Sequence, residues 1–277
     1  MTPDPDLARI ERDRRRREEL LLLLLLLYST RALVHARSAV RVGANPADAA
    51  WAAIMGGSHV DGPPLGDRLL PLLNEVYRGG LWRGALLIGE TVDLHEPGIA
   101  IPSSIANAAA ELAQKTGEAV RRVTTAAIAS ARQHGLGTGQ TLTLLSEAFK
   151  AAGLHRDNSS RLETGVERAV VTGYGAGMWG AWHTPGAATK VFGFVHRTIL
   201  DGRETEICHE RAGFARPRDD PYWRENWPSL HFGCRSVIFP VMKAGPWSTG
   251  YPINSPDPGF GRAPATAFGV AVGYRAA

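Results

Sequence analysis

The chain has 277 residues, 44% of them hydrophobic, which allows one large domain or two modest ones and argues against wholesale disorder. Its formal charge is +4 and nearly all its positive charge is arginine, since lysine occurs only at Lys115, Lys150, Lys190 and Lys243. That balance permits a polyanionic partner without requiring one, and two cysteines, Cys208 and Cys234, are too few for a disulfide scaffold at this length.

From the N-terminus, residues Pro5 to Ser38 read as one long helix, rich in Leu, Arg, Glu and Ala and free of Gly and Pro after Pro5. Its first part is charged and includes Arg14, Arg15, Arg16 and Arg17; its second part, with eight leucines at Leu20–Leu27, is apolar nearly all round, which implies burial on several sides. The leucine run is shorter than the roughly 20 residues of a membrane span, so no membrane partner is expected. A signal peptide has a similar apolar length, but Glu18 and Glu19 touch the run and no small-residue cleavage site follows promptly.

Asn45-Pro46 is a cap and first-turn pair for a helix to about Met55, stopped by Gly56-Gly57. Pro63-Pro64 opens an apolar stretch towards Tyr77, broken at Gly79-Gly80; Leu81 to Pro102 is irregular with some helix. Ser103 or Ser104 caps a helix to about His134, stopped by Gly135. Thr141 to Ala152 is a shorter helix closed by Gly153. Ser160 and Glu163 have capping-box spacing and open a helix towards Trp182, in which Gly173, Gly175, Gly177 and Gly180 mark either close helix packing or a break.

The pattern then changes. Val191 to Leu200 is β-branched and aromatic with a period near two, a strand signal, and Arg235 to Val241 is a second short strand. Asp201-Gly202 is a turn. After Lys243 the chain is rich in Gly and Pro and reads as an extended arm. The fold class expected is α+β, mainly α-helical, with a small C-terminal antiparallel β-hairpin unit and an extended tail. The expected divisions are a helical region at 1–102, a domain at 103–242 and the arm at 243–277.

Within Val191–Val241, a strand leads to Leu200-Asp201, then Arg203, Thr205 and Ile207-Cys208; a proline-containing loop leads to Pro228-Ser229-Leu230-His231-Phe232-Gly233-Cys234-Arg235-Ser236 and a final strand. This order resembles the signature of the phage Mu F-like minor head (head morphogenesis) proteins, and the helix from Ser160, with Arg168 and Ala169, is similar to the one that precedes it there. Many members carry a further cysteine in each block, where this chain has Glu206 and Ser236. The resemblance implies a non-enzymatic minor capsid protein of the virion, assembled in the host cytoplasm. It implies partnership with the portal protein or major capsid protein at the portal vertex, and a role in head assembly, DNA packaging or early ejection.

Read as chemistry alone, Cys208, His231 and Cys234 are soft-ligand candidates, with His209 or His196 as a fourth, and zinc is the cofactor they suit. Two other readings stay open: buried small hydrophobes with His231 bonded to a backbone group, and a Cys208–Cys234 disulfide, disfavoured in a cytosol-assembled particle. A metal-dependent nuclease or hydrolase is the rival function. Glu206 and Glu210 are near in sequence, but no His-Glu-x-x-His helix, deaminase motif or phosphate loop is present. Asp201, Arg203 and Arg235, with Thr205 nearby, are expected to tie the hairpin together. Arg14–Arg17 would serve non-specific contact with packaged DNA in a third reading, against the plainer one of a solvated helix face. Trp223, Trp227 and Trp247 flank the loop and arm, where packing around the sheet is expected.

Overall fold

The computed structural model describes residues 5–57, 62–92 and 102–264. Helices dominate: α1 (Pro5–Val42), α2 (Pro46–Met55), α3 (Leu65–Leu87), α4 (Ser103–Gln133), α5 (Thr138–Ala151) and α6 (Ser160–Trp182), then the single-turn α7 (Pro185–Ala188). A three-stranded antiparallel sheet follows, from β1 (Gly193–Arg197), β2 (Ala215–Pro217) and β3 (Val237–Val241), with a one-turn helix α8 (Glu206–His209) and a 3₁₀ turn (Pro221–Arg224) between strands. The mainly helical α+β class is therefore observed.

Punctuation residues set most helix ends. Asn45 Oδ1 accepts the Ala47 N–H at 3.0 Å, and Gly135 and Gly153 end α4 and α5 with φ of 63° and 70°, a region that favours glycine. At the start of α6 the Glu163 carboxylate accepts from the Ser159 hydroxyl, one residue before the Ser160 of the expected capping box, and Ser160 Oγ donates to Asn158 Oδ1 at 3.0 Å.

Gly79-Gly80 does not break α3, which runs on to Leu87. Its glycines are contact points. A Cβ at Gly80 would fall on the Tyr174 carbonyl of α6, and one at Gly177 would fall on the Tyr77 carbonyl and 2.5 Å from Leu81 N. Both helices stay continuous because each lacks a side chain where their backbones cross, so the glycines of α6 mark packing and not a break. The expected irregular segment is helical through Leu87, and its part at 93–101 lies outside the described residues.

The chain divides into two compact units that cut across the linear divisions expected. One comprises residues 1–17, 73–105 and 168–277; the other comprises 18–72 and 106–167. The four long helices α1, α3, α4 and α6 each contribute residues to both, so linear boundaries cannot follow the packing. In α1 an 18-residue window of mean hydropathy 1.6 is long and apolar enough to cross a membrane, although 39% of it is buried inside the protein. Burial on several sides does not hold for the leucine run. Leu21 and Leu25 are buried, while Leu20, Leu23 and Leu27 are 50%, 63% and 63% exposed on the opposite face.

In the sheet the order is β2-β1-β3, and β1 pairs β3 from Gly193↔Val241 to Arg197↔Val237. The loop expected between two hairpin strands supplies the third strand, β2, on the other edge of β1. Phe194 of β1 packs on Trp182, Trp223 and Trp227 with ring centroids 5.4, 5.5 and 5.7 Å away. Trp223 and Trp227 thus serve packing, as expected. The described part of the arm is extended but fastened: Trp227 N–H donates to Gly261 O, Gly261 N–H to Ser229 O and Asp257 N–H to Leu230 O. Its residues from 265 onward lie outside the described residues.

Candidate metal centre

Cys208 enters through α8. Thr205 is the N-cap of that turn, its hydroxyl accepting the Cys208 N–H at 3.4 Å, so the expected motif threonine has a local backbone role. His231 and Cys234 come from the loop that leads into β3. Asp201 joins the two segments: its carboxylate takes both terminal nitrogens of Arg235, at 2.9 and 2.7 Å, and Arg203 Nε at 3.0 Å. Arg235, then Arg203, hold the Asp201 carboxyl well below the usual carboxylate range. Glu204 holds the turn itself, accepting the Asp201 and Gly202 N–H groups at 3.1 and 2.8 Å.

The result is a buried cluster in which the ligand atoms of Cys208, His231 and Cys234 all lie within 4.8 Å of one another. The two cysteines are free and their Sγ atoms are 3.8 Å apart. That separation is far beyond a disulfide bond of about 2.05 Å. It matches the edge of a tetrahedron built on metal–sulfur bonds of about 2.3 Å, roughly 3.8 Å. His231 Nδ1 donates to the Phe232 carbonyl at 2.6 Å, which fixes the tautomer and leaves Nε2 as the free lone pair, 2.9 Å from Cys208 Sγ. A backbone partner on Nδ1 is also what orients a metal-bound histidine. These three residues could hold a metal ion.

Electrostatics favour one thiolate first. The Cys208 thiol, and then His231, lower Cys234, whereas the Cys234 contact and burial push Cys208 up. Two thiols this close cannot both ionise cheaply without a cation between them. His231 is raised, first by Cys234. A divalent ion bound there would supply the counter-charge that stabilises both thiolates.

Neither expected fourth ligand joins the cluster. His209 is an exposed side chain with Nδ1 3.4 Å from Glu204 Oε1. His196 is fully buried in the sheet, its ring against Trp223 and Tyr222 at 5.4 and 5.9 Å. Both positions follow from the backbone: His209 ends α8 on its outer side, and His196 is fixed by pairing opposite Ile238.

Two of the four clustered arginines also have internal roles. Arg14, 4% exposed, donates to the Cys234 carbonyl at 3.0 Å, and Arg17 donates to the Glu75 carbonyl at 2.7 Å. A guanidinium enclosed by protein cannot reach a phosphate, so Arg14 is withdrawn as a DNA contact. Arg15 pairs with Glu11 at 3.1 Å, and Arg16 is exposed.

Sequence reasoning missed Arg14's contact with the cluster, and it missed Arg211. The latter is 1% exposed and donates to Ile207 O, Asn226 Oδ1 and Asn254 O, joining α8, the loop and the arm. Position three after Cys208 was the only available signal. Comparisons with protein-family models, curated proteins and solved structures found no match to this chain.

Proposed function

We propose that this chain is a virion-assembly protein of the Mu F-like minor head type, acting with the portal or major capsid protein at the portal vertex, and that its Cys208–His231–Cys234 cluster holds a structural zinc ion. One observation carries the reading. The two blocks of the signature, separated in sequence, meet in a single knot, through Asp201 with Arg235 and through Cys208 with His231 and Cys234. The residues that carry the resemblance are thus those that close this part of the fold. Two thiolates and an imidazole with a pinned tautomer suit zinc, which has no redox chemistry and accepts tetrahedral N/S donors.

In this reading the ion's contribution is cohesion. It would fasten α8 to the loop before β3, and Arg14 would carry that restraint to the first turns of α1. Charge steering by Arg15 and Arg16 towards packaged DNA is at most a minor, salt-sensitive addition.

The assembly role is tested by co-expressing the full chain with a phage portal protein from the same genome. Co-purification with portal rings is the expected result; elution as a free monomer with no portal affinity under assembly conditions would sink the role. Metal analysis of protein purified without chelators tests the ion separately, and zinc near one per chain is expected.

A further inference from the structure

A fourth polar side chain touches the cluster. Ser236, 1% exposed, donates through its hydroxyl to Cys208 Sγ at 3.0 Å, almost the same distance as His231 Nε2 on that sulfur. It stands two residues after Cys234 and directly before β3, whose first residue, Val237, pairs with Arg197. Strand pairing therefore fixes its position, which a loop residue would lack.

We propose that the Ser236 hydroxyl oxygen is the fourth donor of the metal centre, giving a Cys-His-Cys-Ser set; this rests on the zinc reading above. Hydrogen accounting allows it. Thr198 Oγ1 donates its one proton to the Cys208 carbonyl at 3.2 Å, so its lone pairs are open to Ser236 Oγ, 2.9 Å away. Once Cys208 is a metal-bound thiolate, Ser236 can turn its proton from that sulfur to Thr198, which leaves an Oγ lone pair open to the ion. Donors on one tetrahedral ion, at bonds of about 2.0–2.3 Å, stand roughly 3.3–3.8 Å apart. The 2.9 and 3.0 Å contacts on Cys208 reach that spacing with shifts on the order of half an ångström. Among the described residues no other His, Cys, Asp or Glu joins the three.

A neutral hydroxyl is a weaker donor to a soft ion than a thiolate. The centre then binds its metal less tightly than a four-strong-ligand knot, and position 236 sets the affinity.

Cobalt(II) is the probe, titrated into the full chain as wild type, Ser236→Cys, Ser236→Ala and, as a control, Cys234→Ser. Far-UV circular dichroism checks that each variant keeps its helices. Ser236→Cys is expected to tighten cobalt binding roughly tenfold to a hundredfold. Its thiolate-to-cobalt charge-transfer band should also grow in the ratio of three thiolates to two. Ser236→Ala should weaken binding with the two-thiolate band retained. If Ser236→Cys matches the wild type in both affinity and band intensity, position 236 lies outside the coordination sphere and the proposal fails. Binding by Ser236→Cys alone would support the fourth corner while overturning zinc in the natural chain; binding by neither would overturn both.

Discussion

The unit formed by residues 18–72 and 106–167 and the unit that ends in the sheet are held by different kinds of contact. In the first, buried side chains are mainly alanine and leucine with a few other apolar residues, among them Leu21, Leu25, Ala50, Ile54, Leu69, Val120, Leu145 and Phe149. Three of its buried hydroxyls bond the carbonyl one turn back, Thr116 on Leu112, Thr124 on Val120 and Thr141 on Gly137, and Ser29 donates to the Leu154 carbonyl. In the second, the buried set includes Arg14, Arg83, His196, Arg211, His231 and both cysteines, and the ring stacks around Phe194. An apolar core tolerates substitution if volume and pattern are kept. A buried polar network is costly when any member loses its partner. The two units should therefore respond very differently to single changes.

The largest effect is expected where backbones touch. Gly177→Val puts a branched side chain against the Tyr77 carbonyl and Leu81 N, atoms that cannot move without parting α3 from α6. A loss above about 4 kcal/mol is expected, the range reserved for overpacking and broken contacts of this kind. Denaturant unfolding measures it, and a loss below about 1 kcal/mol would show that the helices do not cross at these glycines.

Metal removal comes next. An ion held at a thousand times its Kd adds about 4 kcal/mol to the folded state. Chelation should lower the melting midpoint, with faster amide exchange concentrated at 198–241 and in the first turns of α1, which Arg14 ties to Cys234. Uniform loosening across both units would contradict the local role of the cluster.

A third test uses acid. Burial, and then the nearby Arg211 guanidinium, hold His196 down at about 3. In the unfolded chain the imidazole takes up its proton near pH 6.5, so acid favours unfolding. The contribution is whole above pH 6.5 and falls as pH drops towards about 3. One pH unit corresponds to about 1.4 kcal/mol, so two units below pH 6.5 remove about 3 kcal/mol. His196→Phe should flatten the stability curve between pH 6.5 and 4.5 by that amount relative to wild type. Parallel curves would mean that His196 is protonated in the folded chain.

The contrast also explains what the sequence could disclose. Helices α2, α4, α5 and α6 were legible because their signals are local: a cap at Asn45, stops at Gly135 and Gly153, and runs of helix formers. The leucine run was not, since eight identical residues carry no phase and cannot say that Leu21 and Leu25 face inward while Leu23 and Leu27 face out. Gly79-Gly80 read as a break because a glycine's role as a contact depends on α6, almost a hundred residues away. Cys208, His231 and Cys234 were legible from residue type and spacing. Arg14 and Ser236 were not, because an arginine among arginines and a serine beside a strand acquire meaning only through the atoms they reach.

The smallest expected effect lies in the apolar unit and carries the opposite sign. Gly139 is exposed in the first turn of α5, and a Cβ there would meet nothing within 4 Å. Its φ is not in the left-handed region, so alanine fits without strain. Gly139→Ala removes backbone freedom from the unfolded chain and should stabilise by about 0.5 kcal/mol. Thr143, whose hydroxyl donates to the Gly139 carbonyl at 3.3 Å, keeps its partner because only a side chain is added. Urea unfolding of the two proteins, compared at equal slope, reads the difference. A loss of stability would mean that this helix end is packed, and that the apolar unit is as intolerant of an added methyl as the crossing at Gly177.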